Sequence, residues 1–143
     1  AHPGVIRNGN VIFIAHELDK MYYKHGARLH RDLFNNALKL LHKKPMVETD
    51  LPSAGRVSLL HQAEQKRYVA HLLYGPPITR GACEVIEDLP MLYKVPVSVD
   101  LPVKVKKAAL IPDMIELPIT KKDGKVSVTV PQFSCHCAVA FEY

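Results

Sequence analysis

Tryptophan is absent, and aromatic residues make up only 7% of the 143 positions. The core must therefore come from Val, Leu, Ile and Ala, and any sugar-stacking surface must rely on tyrosine. Only three cysteines occur, Cys83, Cys135 and Cys137. An odd count without framework spacing excludes a disulfide scaffold. Cys135 and Cys137, two apart in a strand pattern, share one face, where a bridge between them would be strained; both are read as reduced. No stretch of about 18 apolar residues is present, so no membrane-spanning helix and no membrane partner are expected. A glycine-rich phosphate loop is missing. Lysine and arginine (19) outnumber aspartate and glutamate (14), a net charge of +5. The positives are scattered, however. Lys39, Lys43 and Lys44 close a helix, where they suit its dipole, and Lys104, Lys106 and Lys107 lie on a strand-like run that they would protect as an edge. The signatures of nucleic-acid binding are also lacking, and no nucleic-acid partner is expected.

What is present changes character at Pro45. Before it stands one apolar strand-like run, Val11-Ile12-Phe13-Ile14, preceded by a polar loop over 1–9 and followed by a connector over 16–25 that holds Tyr22 and Tyr23. Leu29, Leu33, Phe34, Ala37, Leu38, Leu40 and Leu41 then recur at helical spacing with polar residues between them, which predicts an amphipathic helix that Pro45 ends. One strand and one helix do not make a domain, because the strand lacks pairing partners and the helix lacks a surface for its apolar side. Residues 1–45 therefore read as the last strand-helix unit of an upstream α/β domain.

From 46 to 143 the pattern is of short β runs punctuated by proline and polar turns. The clearest hairpin joins Val57–Ala63 to Arg67–Tyr74 through Glu64-Gln65-Lys66. Asp123-Gly124 predicts a second one, between Leu117–Ile119 and Val126–Val130. Val97–Asp100 and Val103–Lys106 alternate as strands, and the last strand covers His136–Tyr143. The eleven prolines fit strand starts, edges and turns. The fold class expected is mostly β with α: an antiparallel β-sandwich over 46–143, preceded by one strand and one amphipathic helix.

The chemistry-bearing residues each admit a plainer reading. His16-Glu17 begins like a zinc-protease signature, but Lys20 stands where the second histidine belongs. Cys135-His136-Cys137 invites a metal, yet strand alternation sends His136 to the face opposite the two thiols, and a structural zinc site needs two ligand pairs. The thiols read as core residues. Ser53 with His61 or His71 describes an imaginable hydrolase, but Leu51-Pro52-Ser53-Ala54-Gly55 lacks the nucleophile elbow. His71, between Ala70 and Leu72, reads as a hydrogen-bonded structural histidine. Glu84, Glu87 and Asp88 carry no defined spacing for glycosidic chemistry. No catalytic residue, metal ligand or cofactor is assigned. Tyr22, Tyr23 and Tyr74 are the candidates for ligand contact.

Three runs carry a resemblance to a known group: Asn36-Ala37-Leu38 in the helix, Leu51-Pro52-Ser53-Ala54-Gly55-Arg56-Val57, and Tyr68-Val69-Ala70-His71-Leu72-Leu73-Tyr74. With the closing Ala138–Tyr143 run they resemble the C-terminal end of bacterial glycoside hydrolases akin to β-galactosidases with a trimerisation domain. In that group a catalytic (β/α)8 barrel is followed by an amidotransferase-like α/β domain and a small β domain. Where the group's second hairpin arm has an Asn before its last Tyr, Tyr74 stands in place of that Asn here and Gly75-Pro76-Pro77 follows. The resemblance implies a noncatalytic C-terminal accessory portion with a structural or assembly role. Its partners would be the catalytic and α/β domains of the same polypeptide, or further copies in a homo-oligomer. The alternative reading is a carbohydrate-binding module that uses exposed tyrosines.

Overall fold

A computed structural model describes residues 3–143; the first two residues of the loop expected over 1–9 lie outside it. The chain divides into two compact units, Ala1–Lys44 and Pro45–Tyr143.

The first unit has more structure than its sequence pattern announced. Strand β1 (Val5–Asn8) pairs antiparallel with β2 (Val11–Ile14). Gly9 takes the first place of their two-residue loop with φ +56°, a conformation that suits glycine and closes the hairpin. The expected loop over 5–8 is thus a strand, hidden because only Val5 and Ile6 give it apolar character. β2, expected at the centre of a covered sheet, has this single partner. The connector over 18–25 is a helix, α1 (Leu18–His25), which ends at Gly26 in the left-handed region; the Gly26 N–H donates to the Tyr22 carbonyl at 2.8 Å. Glycine here separates α1 from α2 (Arg28–Leu41). The amphipathic helix expected around Gly26 to Lys44 is therefore present over a shorter stretch, Arg28–Leu41.

The second unit is an antiparallel sandwich. Its strands are β3 (Val47–Thr49), β4 (Gly55–Gln62), β5 (Arg67–Tyr74), β6 (Ile78–Arg80), β7 (Cys83–Val85), β8 (Leu92–Val99), β9 (Lys107–Ile111), β10 (Ile115–Glu116), β11 (Thr120–Lys122), β12 (Lys125–Phe133) and β13 (Cys135–Glu142). One sheet runs β10-β9-β13-β5-β4 and the other β11-β12-β8-β3; β6 and β7 form a separate hairpin. Both expected turns are found, although the first arm of the second hairpin is Thr120–Lys122 and not Leu117–Ile119, because a two-residue loop pairs the residues next to it. Gln62 pairs with Arg67, and Asp123-Gly124 links Lys122 to Lys125 with positive φ at both loop residues, as a tight hairpin requires. Val103–Lys106, expected as a strand, lies outside any ladder, although Val105 is fully buried and the Lys106 N–H donates to the Glu142 carbonyl at 2.8 Å. At Ser134 the chain crosses from one sheet to the other, and Cys135 takes φ +63° at that corner.

The core lies between the two sheets. Ala70 and Leu72 of β5 and Val139 and Phe141 of β13 meet Val97 and Val99 of β8 and Val128 and Val130 of β12. The buried set contains no polar or charged residue among the described positions. Alternation in β5 and β13 puts every second side chain there and its neighbours on the outer face of the five-stranded sheet. Even that outer face is closed at its centre, where Val69, Ala138 and Ala140 are buried. No helix among the described residues is long and apolar enough to cross a membrane.

Candidate functional site

Three of the concavities bear on the candidate residues. The first, about 580 Å³, opens beside the β6–β7 hairpin and is lined by Ser53, Gly55, Arg56, Leu73, Glu84 and Ile86. Its floor is shaped by Gly55, the first residue of β4. A Cβ there would stand 2.6 Å from the Leu51 Cβ and 2.9 Å from the Pro52 carbonyl oxygen, so the turn needs glycine on space alone. The second, about 260 Å³, lies between α1 and α2 among Leu18, Asp19, Tyr22, His30, Arg31 and Phe34. Within the chain, His30 Nδ1 is covered and has no hydrogen-bond partner. The third, about 500 Å³, borders the β9–β10 turn and the Ser134 corner, with Asp113, Gln132, Ser134 and His136 on its walls.

The three candidate tyrosines fall in both units, Tyr22 and Tyr23 in the first and Tyr74 in the second. Tyr23 is 94% exposed, whereas Tyr22 enters the α1–α2 groove. Adjacent helical residues diverge by about 100° around the axis, so the two side chains leave the helix in different directions. Tyr74, in the other unit, packs against the sandwich core at the end of β5.

The imagined hydrolase residues are also apart in role. His61 Nε2 is 2.9 Å from the Tyr143 hydroxyl, and its ring stacks on Tyr68 at 4.2 Å. His71 Nδ1 is 3.1 Å from His136 Nε2. Ser53 sits in the β3–β4 turn, hydrogen-bonded to neither. Glu17 pairs with Lys20 at 2.9 Å, the ion pair that replaces a second metal-binding histidine. Glu87 holds Arg80 at 2.9 Å across the β6–β7 hairpin.

The two expected core thiols divide: Cys137 follows strand alternation, whereas Cys135 turns out of the core because its φ of +63° at the corner breaks the alternation. Cys137 faces inward against the core, and burial pushes its thiol up to about 11 from an ordinary 9.0, so at neutral pH it is a protonated core residue. Cys135 is exposed at the corner. His136 points to the outer face, where it finds His71. Cysteine spacing points away from this meeting; it depends on the β5–β13 register, which joins residues 65 positions apart. Its only sequence signal is the shared outward parity of two histidines. Among the described residues, no group of three or more His, Cys, Asp or Glu side chains is placed to hold a metal ion.

No protein-family model matches the chain, and no curated protein matches it. A solved structure does: α-L-fucosidase isoenzyme 2 from Paenibacillus thiaminolyticus, with a TM-score of 0.91 and 38% identity over 99% of this chain. The chain spans 22% of the length of that fucosidase. In sequence and fold it is thus similar to a segment of a much larger glycoside hydrolase.

Proposed function

We propose that this chain is a noncatalytic C-terminal accessory portion of a glycoside hydrolase, with a structural or assembly role. On this reading residues 1–45 close an amidotransferase-like α/β domain, 46–143 form the β domain, and the catalytic barrel lies upstream. The observation that carries it is the likeness over 99% of this chain to 22% of a fucosidase. The first unit adds physical support. Its strand β2 leaves Val11 and Phe13 more than 60% exposed, and α2 buries none of its leucines. These apolar surfaces fit a neighbouring layer of a larger α/β domain.

The test has two parts. Assayed with aryl α-L-fucosides and β-galactosides, the chain should give no turnover; hydrolysis that persists through purification and is lost in a defined point variant would make it an enzyme. Light scattering over a range of concentrations should show self-association through the apolar first unit. A monomer at every concentration would remove the assembly role.

The second reading, a glycan-binding module, is favoured by the 94% exposure of Tyr23 and by the cleft that carries Arg56, Glu84 and Ser53. Calorimetric binding of fucosylated or galactosylated oligosaccharides, lost in Tyr23→Ala or Arg56→Ala, would establish it. Flat titrations would dismiss it.

A further inference from the structure

His71 and His136 sit diagonally on the outer face of the five-stranded sheet. His71 of β5 lies opposite Ala138 of β13, and His136 lies opposite Leu73. The rings are nearly parallel, 13° apart, with centroids at 5.4 Å. His71 Nδ1 and His136 Nε2 approach to 3.1 Å. A shared proton accounts for that distance, and so does a chelate. With metal–nitrogen bonds of about 2.0–2.1 Å, a 3.1 Å separation subtends about 100° at the ion, between the square and tetrahedral angles.

The surroundings choose between classes of cation. On the neighbouring strands the cross-strand positions are Ser58 beside His71 and Ile111 beside Ala138, and the one carboxylate at the cleft that His136 borders is Asp113, too few oxygen ligands for a hard cation. Hard cations such as Mg²⁺ and Ca²⁺ need several oxygen ligands, whereas imidazole suits Zn²⁺, Ni²⁺ and Cu²⁺. His136 also borders the 500 Å³ cleft that holds Asp113, Gln132 and Ser134, leaving space beside the ring for water or another exogenous ligand. Both residues stand on paired strands, so the β5–β13 ladder fixes the spacing of their backbones, while the exposed His136 ring can turn to meet a ligand.

We infer that His71 and His136 form a two-histidine site for one borderline divalent cation, with its remaining coordination positions open toward the cleft. The site is independent of the accessory role and stands or falls by itself. Protons compete for the same nitrogens, so affinity falls as pH is lowered.

The chain carries eight histidines, so the experiment needs an internal reference. Zn²⁺ and Ni²⁺ are titrated by calorimetry into the full chain and into His71→Ala/His136→Ala. The wild-type chain should show one extra saturable equivalent, at least tenfold tighter than any site left in the double variant, and Mg²⁺ should give none. Each single variant should lose that equivalent. A wild-type titration that matches the double variant overturns the site, as does full affinity in either single variant. A measurement without variants guards against misfolding. In a histidine-selective NMR spectrum, substoichiometric Cu²⁺ should broaden the His71 and His136 ring signals ahead of the His61 signal. Equal broadening of all three would also overturn the proposal.

Discussion

The two units are opposite solutions to the same problem. The sandwich of residues 45–143 buries a continuous set of Val, Ala, Leu and Phe between its sheets. The 1–44 unit buries one large apolar side chain, Leu18, among its described residues. Its longest helix turns His30, Arg31 and Asp32 partly inward and leaves Leu29 76% and Phe34 55% exposed. Apolar burial is the main favourable term in folding, and backbone ordering is the main cost. The comparison therefore teaches that the sandwich encloses a core of its own, whereas the first unit leaves most of its large apolar side chains exposed.

The hardest blow to this contrast is dealt in the sandwich core. Phe141 is fully buried on β13 and belongs to the core cluster that both sheets contribute to. Phe141→Ala should cost about 3–5 kcal/mol, enough to unfold a domain of marginal stability. Chemical denaturation followed by circular dichroism measures it. A loss below about 1 kcal/mol would mean that the core is looser than its burial describes.

Gly55→Ala comes next. The added methyl meets the Leu51 Cβ and the Pro52 carbonyl oxygen, one of them rigid backbone. Overpacking of this kind costs about 1–3 kcal/mol, and here it should also reshape the Arg56–Glu84 cleft. A neutral result would show that the β3–β4 turn yields easily.

How much of this contrast was legible beforehand depends on the range of the interaction. The hairpins at Gln62–Arg67 and Asp123-Gly124 were readable because turn chemistry and alternation are local. The sandwich followed from the density of such signals, and the helix from the spacing of Leu29, Leu33 and Leu38. β1 and α1 were missed because their few apolar residues give no clear period; their pairing and capping rest on Gly9 and Gly26. Val103–Lys106 alternates perfectly yet joins no ladder, since alternation reports a buried side chain (Val105) without supplying a partner strand. The histidine pair was invisible for the same reason in reverse: each residue reads as ordinary, and only the long-range register unites them.

A smaller effect sharpens the reading of the inward face. The Cys137 thiol is pushed up by burial, to about 11 from 9.0. Its folded-state value lies above its unfolded one, so the associated stability is complete below pH 9 and is lost as pH rises toward 11. The side chain is only partly covered, and solvent screening reduces the effect to about 1 kcal/mol. Cys137→Ala should flatten that alkaline slope, after allowance for its own packing loss. At neutral pH an alkylating reagent should label Cys83 and Cys135, both exposed, well before Cys137. Equal labelling of all three would contradict the inward placement of Cys137.

The smallest expected change in stability tests the first unit most directly. Leu29 and Leu38 lie on α2, 76% and 50% exposed. Substitution of an exposed side chain usually moves stability by less than about 0.5 kcal/mol. Leu29→Glu/Leu38→Glu should accordingly leave the unfolding midpoint almost where it was. The same double variant should lower the mass measured by light scattering at high concentration, because the added charges must be desolvated in any contact that covers this face. The two readouts separate the cases. Unchanged stability with lost self-association means that α2 presents its leucines to another surface. A drop of about 2 kcal/mol or more means that the leucines are covered within the chain in solution, and the contrast between a sandwich with its own core and a first unit with exposed apolar side chains disappears.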